Sequence, residues 1–133
     1  MFTIIFPVLN ERLRLESGVT RTVEYLRKIA FEDYEIIIVD NGSEDETPQI
    51  AEMLCQKYEK VRYERINVRG VGAAFRRGVE LSHGDVVGYM DIDLSTNIKH
   101  LGEAIHLFET QPQIEYINGS RFARAVSYTH LRA

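Results

Sequence analysis

The sequence has one cysteine and no long apolar run. A lone Cys55 excludes an internal disulfide and fits a reducing compartment. No apolar stretch approaches the ~20 residues that span a bilayer. Met1-Phe2-Thr3 begins a strand pattern without the basic segment of a signal peptide. We therefore expect a cytoplasmic protein, and any work at a membrane would be done from its cytoplasmic face or through sequence outside these residues.

Positive charge is also scarce overall. The 133 residues carry a net charge of -4, so no dominant basic field attracts nucleic acid, and we expect no nucleic-acid partner. A local anion site stays open, because arginines cluster between residues 62 and 77. The length fits one domain, and 44% hydrophobic residues suffice for a core.

Apolar runs alternate with amphipathic stretches along the chain. Strands are predicted at 2–9, 34–39, 61–66, 85–91 and 114–119. Helices are predicted at 16–30, 73–82 and 97–110, with a further helix that is capped by Ser43 or Asp45 and runs to about Tyr58. Pro7 should stop strand pairing near it, and Gly84 is expected to end the third helix in the left-handed conformation. The fourth strand should be buried on both faces. The alternation predicts an α/β fold, a Rossmann-like, mostly parallel sheet with helices on both faces.

Parallel strands point their carboxyl ends to one edge of the sheet, which is the usual ligand edge in this fold class. The residues that follow the predicted strands are largely polar or acidic. In chain order they are Asn10 and Glu11, Asp40, Asn67 with the Gly70/Gly72 loop, Asp91 and Asp93, and Arg121. We call this edge the carboxyl rim and expect these residues to converge on it.

Two carboxylates lie two residues apart at the end of the fourth strand. Asp91 and Asp93 would repel each other in a partly closed site, and a hard divalent cation with a phosphate co-ligand removes that cost. The alternative is that they cap the next helix or lie solvated in a loop. Asp40 likewise either accepts from a ligand or forms an Asx turn. Gly70 and Gly72 allow close backbone approach to a phosphate, or form an ordinary loop.

Five motifs then occur in one order and carry a family resemblance. They lie at Phe6–Glu11, Ile38–Ser43, Asn67–Gly78, Met90–Ser95 and Gly119–Phe122. In this order they resemble family 2 glycosyltransferases with a GT-A fold, and most of all the dolichyl- or polyprenyl-phosphate sugar synthases. The resemblance covers nearly all of residues 2–124. Asn41 departs from it, because the family often has a second aspartate there, and the family's catalytic domain continues well beyond this length.

The resemblance implies a metal-dependent transfer of a sugar from a UDP- or GDP-linked donor to an acceptor such as a polyprenyl phosphate. Mg²⁺ or Mn²⁺ would be held by Asp91 and Asp93, with Asp93 in an electrostatic role. Peripheral membrane association would suit a lipid acceptor. Neither a general base nor the sugar is indicated. The donor-binding residues that it implies are Pro7, Leu9, Glu11, Ile38, Asp40, Gly72, Asp91, Ile92 and Arg121.

Three other hypotheses account for parts of the pattern. Asp91-Ile92-Asp93-Leu94-Ser95 fits the signature of haloacid-dehalogenase-type phosphatases, although that motif normally follows the first strand. A dinucleotide-binding Rossmann domain lacks its Gly-x-Gly-x-x-Gly after the first strand. A non-catalytic nucleotide-binding fragment is the third hypothesis. It would be separated from an enzyme by metal-dependent binding of a nucleoside diphosphate.

The end of the chain departs from this pattern. Residues 125–133 show no periodicity, and the sequence from Ser127 onward resembles non-native read-through. We therefore expect a nucleotide-sugar-binding domain over residues 1–124 that lacks much of its acceptor side, followed by a non-native or unstructured tail. Such a fragment alone should be poorly active or inactive.

Overall fold

The computed structural model describes residues 1–94 and 98–111, together with two short strands at 116–119 and 126–129. It divides into two compact units, Met1–Asp93 and Leu94–Ala133, and each is described separately. The first unit contains β1 (Phe2–Val8), α1 (Leu15–Lys28), β2 (Tyr34–Asp40), α2 (Thr47–Lys57), β3 (Val61–Arg65), α3 (Val71–Leu81) and β4 (Val86–Tyr89). The second contains α4 (Lys99–Thr110), β5 (Tyr116–Gly119) and β6 (Val126–Thr129).

The first unit is built on a parallel sheet of four described strands in the order β3-β2-β1-β4. Phe2 pairs with Tyr34 and Val86, and the ladder between β1 and β2 continues to Val8 and Asp40. β3 forms one edge, as its more polar sequence predicts. The predicted α/β class, with a parallel sheet flanked by helices, is confirmed.

Helices cover both faces of this sheet. Consecutive residues Ile4 and Ile5 are 1% and 0% exposed, and side chains of neighbouring strand residues point to opposite faces. On one face Ile5 packs with Ile37, Val39 and Ala74 of α3. The other face is covered by α1 and α2, which also contact each other. Burial on both faces explains the nearly unbroken apolar runs of β1 and β2.

The fourth strand is shorter and less buried than predicted. It spans Val86–Tyr89, its first three residues are half-buried, and Tyr89 is 47% exposed. The prediction of burial on both faces is wrong because β4 is an edge strand of the described sheet, paired only with β1.

Gly84 does not end α3 in the left-handed conformation, so this prediction is also wrong. The helix ends at Leu81, and Ser82 after it is extended. A Cβ at Gly84 would lie 2.4 Å from Oγ1 of Thr3 and 2.9 Å from the carbonyl oxygen of Met1. Glycine is needed here for the close approach of the chain to β1 and not for its backbone angles.

Pro7 does not stop the pairing of β1 with β2, because Pro7 pairs with Val39 and the ladder runs on to Val8. Pairing with β4 does end before Pro7, at Ile5 and Tyr89. The carbonyl oxygen of Ile5 accepts from the backbone N–H of Met90, and Pro7, two residues later, faces the same side. The missing N–H therefore points away from the β2 ladder.

The fifth predicted strand does not join the parallel sheet. β5 pairs antiparallel with β6, with Tyr116 opposite Thr129, and the two form a separate two-stranded sheet in the second unit. In the same unit α4 buries Leu101 and Ile105, as its periodicity predicts. Val126–Thr129, within the tail expected to be non-native or unstructured, forms β6. Whether residues 125–133 are native stays a prediction.

Candidate functional site

The carboxyl rim of the first unit collects the loops that follow its four described strands. β1, β2, β3 and β4 run parallel and end at Val8, Asp40, Arg65 and Tyr89. The segments beginning at Leu9, Asn41, Ile66 and Met90 therefore leave the sheet from the same edge. This part of the predicted convergence follows directly from the parallel register.

Asp40 is at the centre of this rim and is fully buried. Its Oδ1 accepts hydrogen bonds from the backbone N–H groups of Gly42 at 3.0 Å and Ser43 at 2.8 Å. These bonds form the Asx turn that the sequence offered as the alternative role for Asp40. Its Oδ2 accepts from the hydroxyl of Tyr63 at 2.6 Å and lies 3.5 Å from Nη1 of Arg65. Asp40 organises the β2 exit in this structure, and its contact with a donor stays a prediction.

The Asp40 carboxylate changes the acidity of Tyr63. Burial raises the pKa of Tyr63, and the hydrogen bond to Asp40 raises it further, to about 12. The hydroxyl therefore stays protonated at neutral pH and acts as a donor to the buried carboxylate. The nearby Arg65 also donates to the carbonyl oxygen of Ser43 at 2.9 Å, which secures the turn from a second side.

The β1 and β2 exits are joined by reciprocal hydrogen bonds. The backbone N–H of Asn10 donates to Oγ of Ser43, and Oδ1 of Asn10 accepts from the backbone N–H of Glu44, both at 2.8 Å. Asn10 has a φ of 52°, a left-handed angle that asparagine tolerates better than most residues. The backbone N–H of Glu11 donates to Oγ1 of Thr47 at 2.9 Å. Two adjacent strand ends thus behave as one connected surface.

The remaining predicted donor residues of β1 and β2 differ in accessibility. The Glu11 side chain is 22% exposed and accepts from Nε of Arg14 at 2.9 Å. Leu9 is 36% exposed and Pro7 is half-buried, so both present surface at the rim. Ile38 is fully buried in the sheet. Contact of these four residues with a nucleoside stays a prediction. Ile38 is the least accessible of the four to a ligand, because its side chain is fully buried.

The segment after β4 exposes its two aspartates and buries the residue between them. Asp91 and Asp93 are exposed, whereas Ile92 is only 4% exposed. The buried side chain packs beside Gly18 of α1, where a Cβ would lie 2.8 Å from Cδ1 of Ile92. Ile92 therefore anchors the pair of carboxylates to α1. Sequence analysis missed Gly18, and the signal available was a glycine inside a helix, which helices otherwise disfavour.

The loop between β3 and α3 is held to the β2 exit by Asn41. With its amide nitrogen turned toward the loop, Asn41 donates to the carbonyl oxygen of Gly70 at 2.9 Å and to that of Val68 at 3.1 Å. Gly70 has a φ of 121°, which side-chain-bearing residues rarely adopt. A Cβ at Gly72 would meet no atom within 4 Å, so the backbone is open there. The sequence predicted a role for the glycines of this loop but did not predict that Asn41 would bind the loop.

Four residues of the five motifs lie outside the described residues, namely Ser95, Ser120, Arg121 and Phe122. Ser95 ends the motif that begins at Met90, and Arg121 was expected at the rim after the fifth strand. The prediction for Arg121 depended on a fifth parallel strand, which β5 is not. A role for Arg121 in donor binding therefore stays a prediction without support from the sheet.

The residues at the β4 exit suit a hard divalent cation with additional oxygen ligands. Asp91 and Asp93 provide carboxylate oxygens on an anchored, exposed segment. Among the described residues, no three His, Cys, Asp or Glu side chains gather closely enough to hold a metal ion. Mg²⁺ in phosphate-transfer sites commonly uses one or two carboxylates and completes its shell with phosphate oxygens and water. The pair therefore fits a cation that arrives with a diphosphate.

These features define the class of protein. The parallel α/β sheet with helices on both faces is the architecture of the GT-A fold class. The family model described as "Glycosyl transferase family 2" matches residues 3–129, and the chain belongs to this family. The family does not favour the phosphatase alternative, and Asp91 follows the fourth strand of the chain instead of the first.

Individual relatives agree with this assignment. The chain is 35% identical over 105 residues to "Glycosyltransferase AglD" of Haloferax volcanii. This match covers 77% of the chain and 17% of that protein. It is 39% identical over 101 residues to "Dolichyl-phosphate beta-glucosyltransferase" of Mus musculus, with 71% and 31% covered. The chain thus spans less than a third of the length of either protein.

A solved structure shows the same fold at lower sequence identity. The mannosyltransferase PcManGT from Pyrobaculum calidifontis, in complex with GDP-Man and Mn²⁺, superposes with a TM-score of 0.69 at 21% identity. The match covers 85% of this chain and 33% of that one. At this level of identity the likeness supports the GT-A fold alone. None of the helices in the described ranges combines the length and apolar character needed to cross a bilayer.

Proposed function

We propose that this chain carries the donor-binding half of a metal-dependent hexosyltransferase. The enzyme would transfer a sugar from a UDP- or GDP-linked donor to a polyprenyl phosphate. Family membership supports the transferase class. The acceptor class is supported by a relative named as a dolichyl-phosphate glucosyltransferase, and the donor class by a neighbour solved with GDP-Man and Mn²⁺.

The observation that carries the proposal is the geometry of the β4 exit. Ile92 is buried against α1, so Asp91 and Asp93 are held at the carboxyl rim with their side chains exposed. Fixed carboxylates lose little freedom when they bind a cation, which favours binding. The segments that follow β1 and β2, joined by hydrogen bonds, form a second surface of the same rim. The nucleoside would lie there against Leu9 and Glu11.

The chain's own residues have limited tasks in the reaction. A bound Mg²⁺ or Mn²⁺ would supply positive charge that offsets the charge developing on the leaving nucleoside diphosphate. Asp91 and Asp93 would hold the cation, and the open backbone at Gly72 would admit the diphosphate near the first turn of α3. A phosphate acceptor is already an anion and needs no strong general base, in accord with the lack of a predicted one.

The proposal extends to the domain and its location. Residues 1–124 would form the nucleotide-sugar-binding domain, within which the compact unit Met1–Asp93 contains all the described rim residues. A cytoplasmic location, at or near the membrane face where a lipid phosphate is available, is supported by the single Cys55. Much of the acceptor side would lie in sequence beyond this length of chain, so activity of the chain alone should be weak or absent.

Calorimetric titration of the whole chain with UDP and with GDP, each with and without Mn²⁺, tests the donor site. We expect binding of one nucleotide that requires the metal and weakens at least tenfold in Asp93→Asn. Asp85→Asn is the matched control, because Asp85 is 92% exposed and precedes β4 at the opposite edge of the sheet. The absence of metal-dependent binding of either nucleotide to the wild-type chain would overturn the proposal.

A further inference from the structure

Asn41 connects two loops of the carboxyl rim without presenting its side chain to solvent. The residue is 6% exposed, and its backbone N–H donates to the carbonyl oxygen of Val8 at 2.9 Å. Its surroundings assign the orientation of its side-chain amide: with the nitrogen turned toward the β3–α3 loop, the amide donates to the carbonyl oxygens of Gly70 and Val68 at 2.9 and 3.1 Å. The backbone bond continues the β1–β2 ladder, whereas the side-chain bonds reach across to the β3–α3 loop.

One of the two carbonyl groups that Asn41 binds, that of Gly70, also takes part in the first turn of α3. The carbonyl oxygen of Gly70 also accepts from the backbone N–H of Ala74 at 3.2 Å, the first intrahelical bond of α3. Gly70 precedes the helix with φ 121° and ψ 144°, a conformation that glycine adopts readily and residues with a side chain rarely do. Asn41 is a buried partner that holds this carbonyl, so it fixes where the helix begins.

Only an amide or a similar donor can perform this task. Both partners are carbonyl oxygens, which accept and cannot donate, so the group facing them must supply N–H or O–H. An ionised aspartate would place a carboxylate about 3 Å from two oxygens and leave it without donors from this loop.

We propose that Asn41 is a positioning residue that sets the conformation of the Val68–Gly70 loop and through it the affinity for the donor diphosphate. Asn41 would not contact the donor. The proposal rests on the proposed function, since the loop matters for affinity only if a nucleoside diphosphate binds at this rim.

The variant Asn41→Asp tests this proposal through its pH dependence. A protonated carboxyl group can donate one O–H to the loop, and an ionised one cannot. We expect Asn41→Asp to bind the preferred nucleoside diphosphate with Mn²⁺ at least tenfold more weakly than wild type at pH 7.5. The ratio of the wild-type affinity to the Asn41→Asp affinity should fall toward 1 as the pH falls toward the pKa of the new carboxyl group. A purely structural loss would leave the ratio unchanged with pH.

Amide hydrogen exchange over residues 68–74 reports the loop without any ligand. Asn41→Asp and Asn41→Ala should both accelerate exchange in this segment, and Asn41→Ala should do so without a pH-dependent recovery. Gln56→Glu is the control, because it makes the same amide-to-carboxylate change at an exposed position of α2. Circular dichroism melts establish that each variant is folded, and Asn41→Ala replaces Asn41→Asp in the binding assay if the latter is not.

The two proposals fail in distinguishable ways. Wild-type exchange in the loop and unchanged affinity in the Asn41 variants would overturn the role of Asn41 while leaving the donor site intact. Faster exchange with no nucleoside diphosphate binding by the wild-type chain would overturn the proposed function and the effect of Asn41 on affinity. Both proposals would be supported if the Asn41 variants exchange faster in the loop and bind nucleotide more weakly, and if the ratio of wild-type to Asn41→Asp affinity falls toward 1 at low pH.

Discussion

Gly18 of α1 lies directly against Ile92, the residue between the two exposed aspartates. A Cβ on Gly18 would lie 2.3 Å from the carbonyl oxygen of Ile92 and 2.8 Å from its Cδ1. The nearest atom belongs to the backbone and cannot swing aside as the end of a flexible side chain can. The glycine thus allows the β4 exit to rest on α1, and the position of Asp91 and Asp93 depends on it.

Gly18→Ala should therefore destabilise the fold and displace the acidic pair. Overpacking typically costs about 1–3 kcal/mol, and it is opposed by the gain of about 1 kcal/mol that alanine brings to a helix interior. We expect urea unfolding to give a lower free energy of unfolding for Gly18→Ala. We also expect the folded variant to bind nucleotide with metal more weakly than wild type, because Asp91 and Asp93 are displaced. Ser17→Ala, at the exposed neighbouring position, is the control. A Gly18→Ala variant as stable as Ser17→Ala and with unaltered affinity would contradict this contact.

Glu35 at the amino end of β2 should control stability in acid. The side chain is 8% exposed, and its oxygens accept from Thr3 Oγ1 at 2.8 Å, the backbone N–H of His83 at 2.5 Å and Arg62 Nη2 at 2.7 Å. Burial by itself raises the pKa of Glu35, but the hydrogen bonds from His83, Thr3 and Arg62 outweigh burial and lower the pKa from 4.5 to about 2.

A lowered folded-state pKa means that the unfolded chain takes up the proton first. The stabilisation by ionised Glu35 is then complete above pH 4.5 and is lost as the pH falls toward about 2. It amounts to roughly 2–3 kcal/mol. Urea unfolding between pH 6 and 2 should show a shallower acid decline for Glu35→Gln than for wild type. The exposed Glu59→Gln serves as control, and equal slopes in the wild type and Glu35→Gln would contradict the assignment.

Tyr63 and the buried Asp40 should be coupled in both stability and titration. Tyr63→Phe leaves Oδ2 of Asp40 without its hydroxyl donor, and we expect a loss of about 1–3 kcal/mol in the free energy of unfolding. Because the pKa of Tyr63 is raised from 10.0 to about 12, its stabilisation is complete below pH 10 and disappears as the pH rises through about 12.

Ultraviolet difference titration measures this coupling directly. Of the seven tyrosines, the component with a midpoint near 12 should be absent from Tyr63→Phe. Tyr25→Phe, at a half-buried position of α1, provides a matched loss of one phenol. Retention of the late component in Tyr63→Phe would assign the raised pKa to another tyrosine and contradict the coupling.

The sequence predicted the centre of the first unit well because β1 and β2 are buried on both faces. Runs such as Ile36–Val39 have no polar alternation and therefore indicate buried parallel strands, while strand-helix alternation determines the parallel order. The prediction failed at the edges. β4 is only half-buried, and β5 pairs with β6, because a short strand's partner depends on which edges are available and not on its own residues.

The amino-acid sequence by itself determined that the chain is an α/β protein with an acidic carboxyl rim, because hydrophobic periodicity and parallel connections leave few arrangements. It also supplied Asp91 and Asp93 as the candidate metal ligands. Only the tertiary structure decided what each rim residue does. Asp40 is buried among donors and Asn41 holds the Gly70 loop, because hydrogen-bond partners come from strands that are distant in sequence and meet only in the folded chain.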